Sequence, residues 1–143
     1  MSKLKTIVES YIRKCLEQKH GKKFEGSEIP LDLITGGVHR FDAVSNDRTI
    51  VAGIKSFSVR ETGKVGVGVI KSAFTELYFL SLVKAEKKLL IFTNEEFYNL
   101  FSKRALGKVL PDTEIVLCPL SDELALEIAV VNENARREIG KIL

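Results

Sequence analysis

Two charged side chains stand out because of where they sit. Asp42 lies inside the apolar run Phe41-Asp42-Ala43-Val44, and Lys55 closes the run Ile50-Val51-Ala52-Gly53-Ile54-Lys55. A charge within an apolar strand is costly unless it meets a partner or a metal. Between the runs, Ser45-Asn46-Asp47-Arg48-Thr49 is rich in residues that form tight connections, so the two read as arms of one β-hairpin. Because strand side chains alternate, Asp42, Gly53 and Lys55 share a face whenever residue 42 pairs with an odd-numbered partner. A carboxylate and an ammonium meeting there have two uses. One is a cross-strand ion pair of little energetic weight. The other is a ligand for a divalent cation with a second positive charge beside it, suited to water activation and to a phosphate group gaining negative charge.

The elements that must carry these residues follow from periodicity and punctuation. Leu4, Ile7, Val8, Tyr11, Ile12, Cys15 and Leu16 fall on one face of a helix ended by His20-Gly21. Lys22 and Lys23 lead into a loop, and Ile29, Leu31 and Leu33 alternate as a first strand, with Pro30 placing it at an edge. Gly36-Gly37 turns the chain into the arm 38–45, and the hairpin delivers a strand over 49–57. Residues 60–68 form a Gly-containing loop. The segment 70–84 then reads as a helix so apolar around its circumference (Phe74, Leu77, Tyr78, Phe79, Leu80, Leu82, Val83) that it must be buried on more than one side. A strand at 89–93 follows, and Thr93 with Glu96 forms a capping box for a helix running to Gly107. Another strand at 115–118 precedes a final helix opened by Ser121-Asp122, with Leu124, Ile128, Val131, Ala135 and Ile139 in line.

A meander followed by alternating units predicts an α/β domain with a mixed sheet, antiparallel at its start, parallel at its end, and flanked by helices. This order, with Asp42 and Lys55 on neighbouring strands, resembles the restriction-endonuclease-like αβββαβ core of the PD-(D/E)xK nuclease superfamily. The metal site of that superfamily is an Asp on one strand and an acid-x-Lys on the next. The similarity runs from the first helix to the last strand and treats residues 1–143 as a single domain of this kind. One position departs from the pattern: the tripeptide is Gly53-Ile54-Lys55, with glycine where the superfamily carries its second acid. Some members supply that acid from the following helix, and Glu76 is the only acid within 70–83. The resemblance therefore implies a Mg2+- or Mn2+-dependent nuclease acting on DNA, with Asp42, Lys55 and Glu76 as its catalytic set and Asp42 and Glu76 as metal ligands. It equally admits a nuclease-fold protein that has lost catalysis and serves as a nucleic-acid- or protein-binding module, because Gly53 removes an acid close to the metal.

Other candidates take their place around this set. Glu76 on its own residues could equally lie at an exposed edge beside a lysine. Glu9 resembles the helix-borne glutamate that supports the site in some nuclease families, although its polar-face position reads as a solvated carboxylate. Asp32 and Glu61 are weaker acids for the site. The segment Gly63-Lys64-Val65-Gly66-Val67-Gly68 fails both the phosphate-loop and dinucleotide spacings, and reads either as a plain flexible connector or, with the nuclease-like site, as a loop from which Arg60, Lys64 and Lys71 contact a nucleic-acid backbone. His39 points away from the face of Asp42 by alternation, and neither it nor His20 has a partner at metal-ligand spacing. Lys19, Lys22, Lys23, Lys84, Lys87 and Lys88 read as solvated helix ends.

Bulk properties bound these readings. The 143 residues, 45% hydrophobic and 29% charged, suffice for one domain with its own core. A net charge of +3 and a pI near 8.8 are compatible with a nucleic-acid partner without being diagnostic. No apolar run approaches the roughly 20 residues needed to span a bilayer, and the N-terminal segment lacks a signal-peptide core. Cys15 and Cys118 have neither zinc nor redox spacing and read as reduced core thiols, which favours a cytoplasmic protein. Such small nucleases often cut paired strands as dimers, and the apolar surface of the 70–84 helix adds a reason to expect a homodimer.

Overall fold

The computed structural model describes residues 3–56 and 67–130. The first helix, α1 (Lys3–His20), buries Val8, Ile12 and Leu16, spaced four apart on one stripe. It stops at Gly21, whose φ of 66° only glycine adopts freely and whose N–H closes the helix on the Glu17 carbonyl. Three strands follow, β1 (Phe24–Pro30), β2 (Val38–Ser45) and β3 (Ile50–Lys55). Then come α2 (Val67–Ser81), β4 (Lys87–Phe92), α3 (Glu95–Arg104), β5 (Thr113–Leu117) and a helical segment at 122–130.

The five strands form one sheet in the order β1-β2-β3-β4-β5. Pairing is antiparallel from β1 to β3 and parallel from β3 to β5, so the expected mixed α/β sheet is present. Parallel strands need cover on both faces, and two hydrophobic layers supply it. Ala43, Ile50, Ala52, Ile54, Leu89 and Ile91 meet Val8, Ile12 and Leu16 of α1, with Leu120 and Ile128 at the margin. On the opposite face Val44, Val51, Leu90 and Phe92 meet Ile70, Ala73 and Leu80 of α2 and Phe97 and Phe101 of α3.

Several boundaries differ from the periodic pattern. The first strand begins at Phe24, not Ile29, because Phe24 and Ile29 are its buried anchors and a bulge between Glu25 and Ser27 absorbs the glycine between them. Leu33 and Ile34 lie beyond it, exposed. Helix α2 opens at Val67, ahead of Gly68 and Ile70. Helix α3 is capped by Asn94, whose side chain accepts from the Phe97 N–H, so the Thr93 capping box does not form. Ser121 caps the last helix through the Leu124 N–H as expected, while Val131, Ala135 and Ile139 lie outside the described residues. Lys88 is not a solvated helix end. It is 5% exposed and reaches Asp112 at 2.9 Å, which holds the Asp112 carboxyl below its ordinary range. Cys15 and Cys118 are free, half-buried thiols, and burial, with Cys15 nearby, pushes Cys118 up to about 11, far from thiolate chemistry.

The apolar girth of α2 is largely absorbed within one chain. Its sheet side is buried, and Phe74 lies against Phe101 of α3 at 4.7 Å between ring centroids. Tyr78 is its exposed large side chain, at 56%. The reason that this helix offered for a dimer is thereby reduced to the surroundings of Tyr78. Among the described residues no helix is long and apolar enough to cross a membrane.

Phe101 joins α2, α3 and the sheet through Phe74 and Phe92. Phe101→Ala is expected to lower the unfolding free energy by about 3–5 kcal/mol in urea titrations. Tyr78→Ser should change it by no more than about 0.5 kcal/mol, and a large loss there would mean that a second copy covers α2.

Candidate functional site

The strand alternation fails at the residue that matters most. Phe41 and Val44 both belong to the α2/α3 layer, while Ala43 faces α1. A regular strand would put 41 and 43 on one face. Cross-strand pairing between β2 and β3 runs over Val44–Val51 and Ala43–Ala52, and next to it the Asp42 carboxylate takes a hydrogen bond from the Ile54 N–H at 2.8 Å. Asp42 thus occupies the fork where the two strands separate. The pairing ends at Ala43–Ala52, so residue 42 has no paired partner on β3, and its carboxylate is drawn into the gap between the strands by a backbone amide. Arg13 of α1 fixes the same point from behind, donating to the Asp42 carbonyl at 2.9 Å.

Glu76 reaches this fork from α2. A Cβ built on Gly53 would lie 2.5 Å from Cγ of Glu76 and 2.8 Å from its Cδ, with Oε1 closer still. The carboxylate of Glu76 therefore occupies the space that a side chain at position 53 would fill. The residue is buried, at 8% exposure. Burial raises its pKa, Lys55 and His39 oppose that rise, and the charge of Asp42 adds to it. Lys55 is half-buried at the end of β3 and donates to the Ser72 hydroxyl of α2 at 3.1 Å. Ser72 and Glu76 are one helical turn apart, so they form a polar strip on an otherwise apolar helix.

Two expectations are overturned here. Glu9 is not a solvated surface carboxylate. It is 3% exposed on α1, its Oε2 has no hydrogen-bond partner, and burial followed by the charge of Asp42 raises its pKa. His39 does not point away. Its ring stacks on Phe79 at 3.9 Å and 7°, meets Phe41 edge-on at 4.7 Å, and brings Nε2 to 3.3 Å from Oε2 of Glu76. The break in alternation near Asp42 explains the miss, because it lets residues on both sides of the break face the same cleft.

These groups line an open cleft of about 820 Å³. Asp42, Lys55, Glu76 and His39 lie along it with Lys5, Arg40 and Ser72, and Leu4, Val8, Leu120 and Ile128 contribute an apolar wall. Arg40 stands 3.9 Å from Asp42. Of the backbone-binding cations expected from sequence, Arg60 and Lys64 lie outside the described residues, as does Glu61. Lys71 is exposed on α2 and does not line the cleft. Asp32 is exposed in a separate groove beside Arg48 and Lys84. Sequence reasoning missed His39, Arg40, Ser72 and Lys5. Ser72 alone had a readable signal, its four-residue spacing from Glu76.

Among the described residues no three His, Cys, Asp or Glu side chains form a metal-holding cluster. Asp42 and Glu76 are the carboxylates lining the cleft that would share a cation, a number that suits Mg2+, which keeps several waters and takes one or two carboxylates. Their fit is electrostatic. Burial first, and the charge of Asp42 in addition, make Glu9 and Glu76 reluctant to ionise, and a bound cation would offset both. Comparison with protein-family models, with curated proteins and with solved structures finds no match.

A carboxyl whose pKa is higher folded than unfolded favours folding below its ordinary value, here 4.5, and that contribution is lost as pH rises through the folded value. Glu76→Gln and Glu9→Gln should therefore each melt at a higher temperature than the wild type at pH 7.5 without metal. The gain should shrink toward pH 4. Lower melting temperatures at pH 7.5 would contradict the burial cost assigned to these carboxyls.

Proposed function

We propose that this chain is a divalent-metal-dependent nuclease that hydrolyses DNA phosphodiester bonds on a restriction-endonuclease-like core of the PD-(D/E)xK type. The observation that carries the reading is the seating of Glu76 in the side-chain space of Gly53, next to the Ile54 amide that binds Asp42 and two residues from Lys55. In this reading the acid missing from the strand has been supplied by α2, and a position that must stay vacant for it is glycine.

Asp42 and Glu76 would hold Mg2+ or Mn2+, which when bound acidifies a coordinated water and neutralises phosphate oxygens. The protein's own groups divide the remaining work. The Ile54 amide and the Arg13 anchor orient Asp42. Lys55, tethered by Ser72, presents an ammonium where the phosphate gains negative charge. Arg40 and Lys5 add positive charge along the cleft for flanking phosphates, a role in which Arg60, Lys64 and Lys71 would join. Glu9 supports the site from α1 by adding negative potential behind Asp42. A homodimer would allow two such sites to act on paired strands.

The second reading, a nuclease-fold module that binds nucleic acid or protein without cleaving, has its own observation. Asp42 Oδ2 is already engaged by a backbone amide and Glu76 Oε2 by His39, and the described residues offer no third ligand.

Incubation of DNA with the wild type and Mg2+ or Mn2+ is expected to give cleavage that a chelator stops. Asp42→Ala, Lys55→Ala and Glu76→Ala should each lower the rate by about 100-fold or more, and in combination they should lose little further. Gly53→Glu alone should also be inactive, because the new side chain collides with Glu76. Gly53→Glu combined with Glu76→Ala should regain metal-dependent cleavage, since it moves the acid back to the strand. Absence of cleavage with either metal, alongside salt-sensitive DNA binding, would favour the binding module. Cleavage that survives Asp42→Ala and Lys55→Ala would contradict the site.

A further inference from the structure

A glutamate reaching from a helix onto a strand has three side-chain torsions to hold, and nothing on Gly53 can hold them. The geometry points to His39 as the residue that positions Glu76, an assignment that rests on Glu76 being the site's second acid. With its proton on Nε2, His39 donates to Oε2 of Glu76 at 3.3 Å, leaving Oε1 close over the Gly53 backbone. The imidazole is itself immobilised. Phe79, three residues beyond Glu76 on α2, stacks flat on one face, and Phe41, two residues along β2, abuts its edge. The strand carrying His39 is pinned in turn through the Ile29–His39 pair with β1.

The arrangement meets the requirement that a metal-binding carboxylate with no strand attachment creates. A ligand held by a rigid outer donor loses less freedom when the cation arrives, and loss of such donors typically costs 10–100-fold in metal affinity or activity. Phe79 and Glu76 lie on the same turn of α2, so the ring that fixes the imidazole and the carboxylate that it orients move together. His39 is a positioning residue here: it touches Glu76, with the cation's side of the carboxylate left to Oε1.

Two substitutions separate hydrogen bonding from packing. His39→Phe keeps a ring between Phe79 and Phe41 and removes the donor, whereas His39→Gln keeps an N–H donor and gives up the stack. Mn2+ binding by titration calorimetry should weaken at least about tenfold in His39→Phe and stay within a few-fold of wild type in His39→Gln. A crystal structure of His39→Phe should show the Glu76 carboxylate displaced from Gly53. Unchanged Mn2+ affinity in His39→Phe, or an equal loss in both variants, would overturn the assignment. If the wild type itself binds no Mn2+, the metal reading fails separately, and the crystal structure then decides: Glu76 displaced supports positioning by His39, and Glu76 still seated on Gly53 overturns it.

Discussion

A carboxylate that leaves a helix to lie on a strand needs a strand residue without a side chain, and the contact between Glu76 and Gly53 meets that need. Any Cβ at 53 would strike the Glu76 side chain, so Glu76 keeps this place only while position 53 is glycine. The rest of the site is arranged around this contact. Helix α2 must run close over β3 to deliver Glu76, which also brings Ser72 to Lys55 and Phe79 to His39. The parallel pairing of β3 with β4 fixes the crossover that α2 spans. At the fork between β2 and β3, Asp42 accepts from the amide of Ile54, the residue after the same glycine.

The electrostatics follow from that crowding. Glu9 from α1 and Glu76 from α2 approach Asp42 of β2; burial is the main penalty on their ionisation, and the charge of Asp42 adds to it. Lys55, His39, Arg13 and Lys5 offset part of the charge. A folding optimum would not bury these carboxyls together, and strained or destabilised groups of this kind concentrate where a ligand is bound. The stability carried by the Phe92–Phe101 layer and by Ile12 and Leu16 of α1, away from the cleft, offsets the cost.

Much of the fold was legible because it rests on strong periodic signals. The stripe of α1, the turn residues between β2 and β3 and the alternation of helices with later strands led to the observed element order. The first strand was misplaced because Phe24-Glu25-Gly26-Ser27-Glu28 looks like a loop until a bulge lets Phe24 and Ile29 serve as its anchors. At the site, Asp42, Lys55 and Glu76 were legible as charges in apolar surroundings, and they do line one cleft. Glu9 and His39 were misread for different reasons. Glu9 lies on the polar side of α1, and only the tertiary structure shows that this side is covered. His39 was placed by strict alternation, which the interruption at Asp42 defeats. Arg40 and Lys5 carried no local signal at all, since an exposed cation becomes a cleft cation only through the fold.

The central claim is that Glu76 stands in for the acid absent at Gly53. Its most direct test is the anomalous scattering of Mn2+ in crystals of the wild type grown near neutral pH. The expected result is one strong peak held by the carboxylates of both Asp42 and Glu76. Saturating Mn2+ that leaves no peak there, or a peak on Asp42 with Glu76 turned away, would contradict it.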